Sequence, residues 1–242
     1  MRLPRIFHRR EPSAPVSAAG ALDYKTAWNQ AARADARDAI LTGSTAESFE
    51  GTGEADAAMI RRYLRREDAV VLNIGCGVGR VERYLAPHVA ELHAVDVSGE
   101  MIARARERLD EFPNVHLREI GNAEFLSAFD AARFDLVFSF LVLQHLSRED
   151  AFLYLRDAFR VLKPGGVLFV QFPNFLSPEY TRSFLEGVEV RERSPGRVRF
   201  YTEVEVRHLL GTLGFEVAEL WLASGERGDA EIYAAARKRL PR

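Results

Sequence analysis

The stretch VLNIGCGVGR, Val71 to Arg80, constrains the fold of this chain more than any other. A continuous apolar run, AVVLNI, empties into Gly75, Gly77 and Gly79, one at every second position. Unbroken β-branched and aliphatic residues read as a strand buried on both faces, an environment typical of a parallel sheet covered by helices. Glycines directly after such a strand permit a tight turn and a close backbone approach to a ligand, where a Cβ would take up space. In a doubly wound sheet the first such turn lies at the mouth of the cofactor crevice.

The rest of the chain repeats this alternation. Strand patterns fall at ELHAVDV, NVHLREI, FDLVFSF and VLFVQF, and helical patterns lie between them. Ser98 is placed as the N-cap of SGEMIARARERLDEF, and Ser147 with Asp150 starts the next long helix. NAEFLSAF reads as a short helix and KPGG as a turn. Thr202 and Glu205 form a capping box, with Gly214 as the C-terminal cap of that helix. FEVAELWLA and AEIYAAARK follow as two strands, joined by a loop short enough for an antiparallel hairpin. The pattern predicts an α/β fold with a parallel sheet and helices on both faces.

Three segments stand outside this rhythm. Residues 1–20 are rich in Pro, Ser, Ala and Arg and read as a disordered tail. Residues 21–66 hold two amphipathic helices, the first with Tyr24 and Trp28 on one face, separated by a loop at TGSTAESFEGTGE. Residues 173–200 form a polar insert with Arg182, Arg191, Arg193, Arg197 and Arg199, read as a solvated face or a site for an anionic substrate. The main domain is then 67–242.

Composition excludes several classes. A net charge of −2 removes the simplest argument for a nucleic-acid partner. Cys76 is the only cysteine, so neither an intramolecular disulfide nor a cysteine metal cluster is possible. It sits on the glycine loop, which argues against a nucleophilic cysteine as well. His8, His88, His93, His116 and His208 show no helical metal-ligand spacing, so no metal is expected. No apolar run reaches the ~20 residues of a membrane span, and the N-terminus lacks a secretory apolar region. These features predict a soluble, cytoplasmic protein; oligomeric state is not legible.

The glycine spacing selects among ligands. Dinucleotide folds use G-x-G-x-x-G because a pyrophosphate sits on the helix N-terminus. Here the spacing is G-x-G-x-G, and Arg80 stands where the third dinucleotide glycine belongs. Asp96 follows 17 residues after Gly79, at a strand end, where a carboxylate can accept hydrogen bonds from ribose hydroxyls.

With these residues in order, VLNIGCGVGR, LHAVDVSGEMI, GNAEFL, FDLVFSFLVLQHL, LKPGGVLFVQFPN and the C-terminal YTEVEVRHLLGTLGFEV with YAAARK resemble the class I S-adenosylmethionine-dependent methyltransferases. The resemblance runs from about Tyr24 to Lys238. It implies a Rossmann-like, seven-stranded, mostly parallel sheet with a final antiparallel strand and an N-terminal helical lid. It implies S-adenosylmethionine as cofactor and in-line methyl transfer to a small-molecule acceptor. By match, Gly75, Cys76, Gly77 and Gly79 surround the methionine end of the cofactor and Asp96 holds its ribose. Val97 and Met101 pack on the adenine, Asn122 and Ala123 meet its edge, and Phe140 and Leu141 lie beside the sulfonium. The family commonly has acids where this chain has Asn73 and Asn122, and an amide cannot balance a cation.

His145, in the loop after FDLVFSF, is the candidate general base, against a packing role. Gln144 is a candidate for orienting substrate, and Tyr24 and Trp28 for a lid. The competing readings are a non-catalytic cofactor-binding or interaction protein, motivated by Asn73 and Asn122, and an NAD(P)-dependent oxidoreductase, which the glycine spacing disfavours.

Overall fold

The computed structural model describes residues 23–66, 68–122, 124–190, 196–223 and 230–240. The elements run α1 (Tyr24–Ile40), α2 (Ala46–Arg61), β1 (Val70–Ile74), α3 (Glu82–Leu85), β2 (Glu91–Asp96), α4 (Gly99–Arg108), β3 (Val115–Glu119) and β4 (Phe134–Ser139). They continue with α5 (Arg148–Val161), β5 (Leu162–Pro173), α6 (Pro178–Glu189), α7 (Glu203–Thr212), β6 (Phe215–Ala223) and β7 (Glu231–Lys238). The tail at 1–20, Ala123, Arg191 and Arg193 lie outside the described residues.

The strands form one seven-stranded sheet in the order β3-β2-β1-β4-β5-β7-β6. All pairings are parallel except those of β7, which runs antiparallel to β5 and β6. Strand direction explains the double-sided core, because successive side chains point to opposite faces. Leu72, Val137, Leu168 and Val170 pack on one face against Leu155, Ala158 and Val161 of α5. Val71, Leu136, Phe138 and Phe169 pack on the other, with Ala57 and Ile60 of α2. The chain reverses its direction of travel across the sheet between β1 and β4, so a crevice opens at their C-terminal ends.

Several local expectations are corrected. The loop expected within 42–54 is mostly the helix α2, started by a Thr45–Ser48 capping box. Gly53 lies inside it because α2 packs tightly on the glycine turn: an added Cβ would stand 2.6 Å from the Arg80 carbonyl oxygen. The expected helix at NAEFLSAF is a series of turns, with Phe125 at φ 49°. Its backbone finds partners in α5 instead, where Arg160 donates to the Leu126 and Phe129 carbonyls at 2.7 Å each. KPGG is absorbed into β5, where it coincides with a register shift against β4. The polar insert contains α6, in which Pro178 takes the first-turn position that suits proline. The caps at Ser98, Ser147 and Thr202 and the positive φ of Gly214 are as the sequence predicts.

Burial ranks the consequences of truncation. Leu168 on β5 is fully buried, whereas Leu185 on α6 is 56% exposed. Leu168→Ala should lose about 2–5 kcal/mol in denaturant unfolding, and Leu185→Ala should stay within about 0.5 kcal/mol. A Leu185 variant as damaged as the Leu168 variant would contradict this ranking.

Candidate active site

The glycine turn is built by backbone conformation. Gly75 and Gly77 adopt φ of +80° and +55°, a region that side chains rarely tolerate. A Cβ on Gly75 would lie 2.2 Å from Val142, and one on Gly77 would lie 2.7 Å from Ile40. The space that glycine leaves is therefore filled by protein: Val142 from beyond β4 and Ile40 from α1. Leu141 reaches that place at φ +61°, an unusual conformation for a non-glycine residue. Its N–H is held by Gln171 Oε1 at 2.8 Å.

The Asp96 carboxylate joins the turn to the next strand. Its Oδ2 accepts the Gly77 N–H at 2.8 Å and its Oδ1 accepts the Ser98 N–H at 2.9 Å. Burial pushes the Asp96 carboxyl up, and these backbone donors oppose that rise. Ser98 Oγ in turn caps α4 and donates to Asn29 Oδ1 on α1 at 2.8 Å.

A cleft, partly open to solvent, lies over these groups. Of the residues expected at a cofactor site, Gly75, Cys76, Gly77, Asp96, Val97, Met101, Phe140 and Leu141 line it, as do Tyr24, Trp28 and His145. Gly79 and Asn122 are not among its lining residues. Gly79 faces Leu109 instead. Asn122 ties down the start of α1, accepting from Lys25 N at 2.8 Å and donating to Asp23 Oδ1 at 2.9 Å. Ala123 lies outside the described residues. The lining also includes Ile40, brought in from the far end of α1, and Val142, the neighbour of Leu141; neither was expected there.

Helix α1 closes the cleft. It breaks at Asp35, whose extended backbone and carboxylate re-cap the chain at Arg37 N and Asp38 N, 2.9 and 3.0 Å away. Beyond the break Ala39 and Ile40 meet the cavity. Tyr24 is pinned at the other end, donating to Asp150 Oδ2 and accepting from Ser147 N, both at 2.8 Å.

His145 stands between α1 and the insert. Its ring meets Trp28 edge-on at 4.9 Å. The Gly196 carbonyl can only accept, so Nδ1, 2.8 Å away, carries the hydrogen. Nε2 is then the basic nitrogen, with the Gln144 amide 3.2 Å from it. Burial pulls the imidazole down to about 4, so it is neutral across the physiological range. Arg199, a candidate for anion recognition, donates instead to the His145 and Arg197 carbonyls, at 2.7 and 2.8 Å.

One cluster escaped the helical spacing argument because a sheet assembles it. His93 and His116 are in register on β2 and β3, and with Glu91 their ligand atoms lie within 4.8 Å of one another. The Arg133 guanidinium already stands 3.1 Å from His93 Nε2, so a cation is provided there by the chain.

The glycine turn, the strand-end carboxylate and the crevice at the reversal of strand order define a class I S-adenosylmethionine-dependent methyltransferase fold. A family model described as "Methyltransferase domain" matches residues 71–166. The chain is 38% identical over 117 residues to a malonyl-[acyl-carrier protein] O-methyltransferase of Enterobacter lignolyticus, covering 47% of this chain and 42% of that one. It is 33% identical over 164 residues to a probable S-adenosylmethionine-dependent methyltransferase of Mycolicibacterium smegmatis, covering 68% and 58%. These matches thus span about half the length of the relatives. Among solved structures, magnesium protoporphyrin IX methyltransferase from Synechocystis PCC 6803 with bound S-adenosylhomocysteine superposes with a TM-score of 0.69 at 19% identity, covering 88% of this chain and 97% of that one. Among the described residues no helix is long and apolar enough to cross a membrane.

S-adenosylmethionine is the methyl donor of this class, and the cleft suits it: buried carboxylate, apolar walls and a glycine turn meet at one place. Asp96→Asn tests the contact. Losing a charge-assisted bond worth roughly 1.5–3 kcal/mol should weaken S-adenosylhomocysteine binding by at least ~10-fold in calorimetric titration. The variant should also melt lower, because an amide nitrogen cannot accept one of the two backbone N–H groups. Unchanged affinity would remove Asp96 from the cofactor site.

Proposed function

We propose that this chain methylates a small organic acceptor bound between α1 and the end of β4, with His145 receiving the acceptor's proton. The observation that supports this most is the composition of the cleft wall. Trp28, Phe140, Leu141 and Leu146 present apolar surface, and His145 brings a neutral imidazole to the same cavity. A substrate with an apolar body and one weakly acidic oxygen matches that wall. The O-methyltransferase of Enterobacter lignolyticus points to the same acceptor atom.

The bound cofactor supplies an electrophilic methyl group and a neutral leaving group, for in-line displacement. The protein's work is then alignment, exclusion of water and removal of one proton. Tyr24, Trp28 and Ile40 cover the cleft from α1. The Gly196 carbonyl fixes the His145 tautomer and leaves Nε2 as the acceptor nitrogen; it takes the Gln144 amide N–H at 3.2 Å, a bond that the acceptor's hydroxyl would replace. Gln144 lies beside that nitrogen and serves to orient the acceptor.

Incorporation of a labelled methyl group across a panel of small hydroxylated and carboxylated compounds tests the reading. With an accepted substrate, His145→Gln should lower kcat by about 10²–10⁴-fold and leave S-adenosylhomocysteine affinity unchanged. Wild-type activity should fall only as pH drops toward about 4, where the imidazole gains its proton. Full activity in His145→Gln would exclude the general-base role, and a chain that binds the cofactor but labels nothing would support a non-catalytic binder.

A further inference from the structure

Strand β1 ends beside two buried acceptors that no donor reaches. Asn73 donates its Nδ2 hydrogen to Glu82 Oε1 at 2.5 Å. Asn73 Oδ1 and Glu82 Oε2 have no hydrogen-bond partner. Asn73 is 4% exposed and belongs to the cleft wall, whereas Glu82, at the start of α3, is fully buried behind it. An ionised carboxylate only accepts, so it holds the amide nitrogen toward itself and leaves the amide oxygen for something else. Buried acceptors without donors are costly, and a ligand that brings a donor relieves the cost.

The cofactor is such a ligand, since it carries an ammonium group and a positive sulfonium. We propose that Asn73 and Glu82 form a cation subsite of the cofactor cleft. The Asn73 carbonyl oxygen accepts the hydrogen bond, and Glu82, one side chain deeper, supplies the negative charge that an asparagine lacks. Glu82 is therefore a positioning residue, acting through Asn73. The proposal rests on the cofactor cleft described above.

The charges around Glu82 are few. Arg80 favours its ionisation, but that guanidinium is paired with Asp56 of α2 at 2.6 Å. Asp96, across the glycine turn, opposes it, and burial keeps the Cys76 thiol neutral. Burial dominates and pushes the Glu82 carboxyl up to about 7. A cation bound beside Asn73 favours the carboxylate, so binding lowers that value and releases a proton. Affinity then rises with pH through neutrality. His145, drawn down to about 4, does not titrate in that window.

Calorimetric titration with S-adenosylhomocysteine tests this at pH 6 and 8, at each pH in two buffers of different ionisation enthalpy. That ligand lacks the sulfonium and isolates the ammonium. Wild-type protein should bind about 10-fold more tightly at pH 8 than at pH 6, with proton release near neutrality. Glu82→Gln keeps an acceptor for Asn73 but no charge; it should bind about 10-fold more weakly than wild type at pH 8 and show no pH dependence. Asn73→Asp combined with Glu82→Gln moves the charge to the cleft wall and should recover wild-type affinity at pH 8. If neither variant folds, wild-type proton release remains decisive. Wild-type affinity in Glu82→Gln, or binding by wild type without proton release, would overturn the subsite alone. A wild-type protein that does not bind S-adenosylhomocysteine would overturn the subsite and the cofactor cleft together.

Discussion

One carboxylate holds the functional end of this molecule together. Asp96 accepts a hydrogen bond from the glycine turn after β1 and another from the N-cap of α4. It thereby fixes two loops that meet only because β1 and β2 are neighbours. The cost of burying a charge there is reduced by two backbone donors that would otherwise be unsatisfied. From this junction Ser98 reaches Asn29, and α1 is set across the cleft. Helix α1 is held along its length by Asn122 and Asp150 near Tyr24, by Glu119 at Lys25, by Ser98 at Asn29 and by Glu100 at Arg33. Closure by α1 is thus part of the resting fold.

The glycines contribute differently from what a ligand-centred view suggests. Their missing side chains make room for Val142 and Ile40, which are cleft walls themselves. The turn, the strained Leu141 and the broken end of α1 form one packed unit. Such packing lines the cleft with apolar side chains, and a low-polarity cleft strengthens every charge inside it. Asp96, Asn73 and His145 stand among the polar groups of that cleft, with Glu82 behind Asn73, and the proposed chemistry is assigned to them.

Much of the sheet was legible because its strands are continuous apolar runs, and burial on both faces demands that pattern. The caps at Ser98, Ser147 and Thr202 were legible because each satisfies backbone N–H groups locally. What failed was decided by distant partners. Gly53 reads as a loop residue until Arg80 is seen against it. NAEFLSAF reads as helix until Arg160 takes its carbonyls. Asp96, Val97, Met101, Phe140 and Leu141, named from the family pattern, all line the one cleft. Asn122 went instead to the N-terminus of α1, and nothing in the sequence pattern singles out Glu82, which lies buried behind Asn73.

The central claim is that this cleft receives an adenosine cofactor with a cationic end. Thermal unfolding with S-adenosylhomocysteine or NADP measures it most directly. At ~100 times its dissociation constant, S-adenosylhomocysteine should add roughly 2.7 kcal/mol of stability, seen as a clear rise in Tm, and NADP should add none. A rise with NADP and none with S-adenosylhomocysteine would contradict the account.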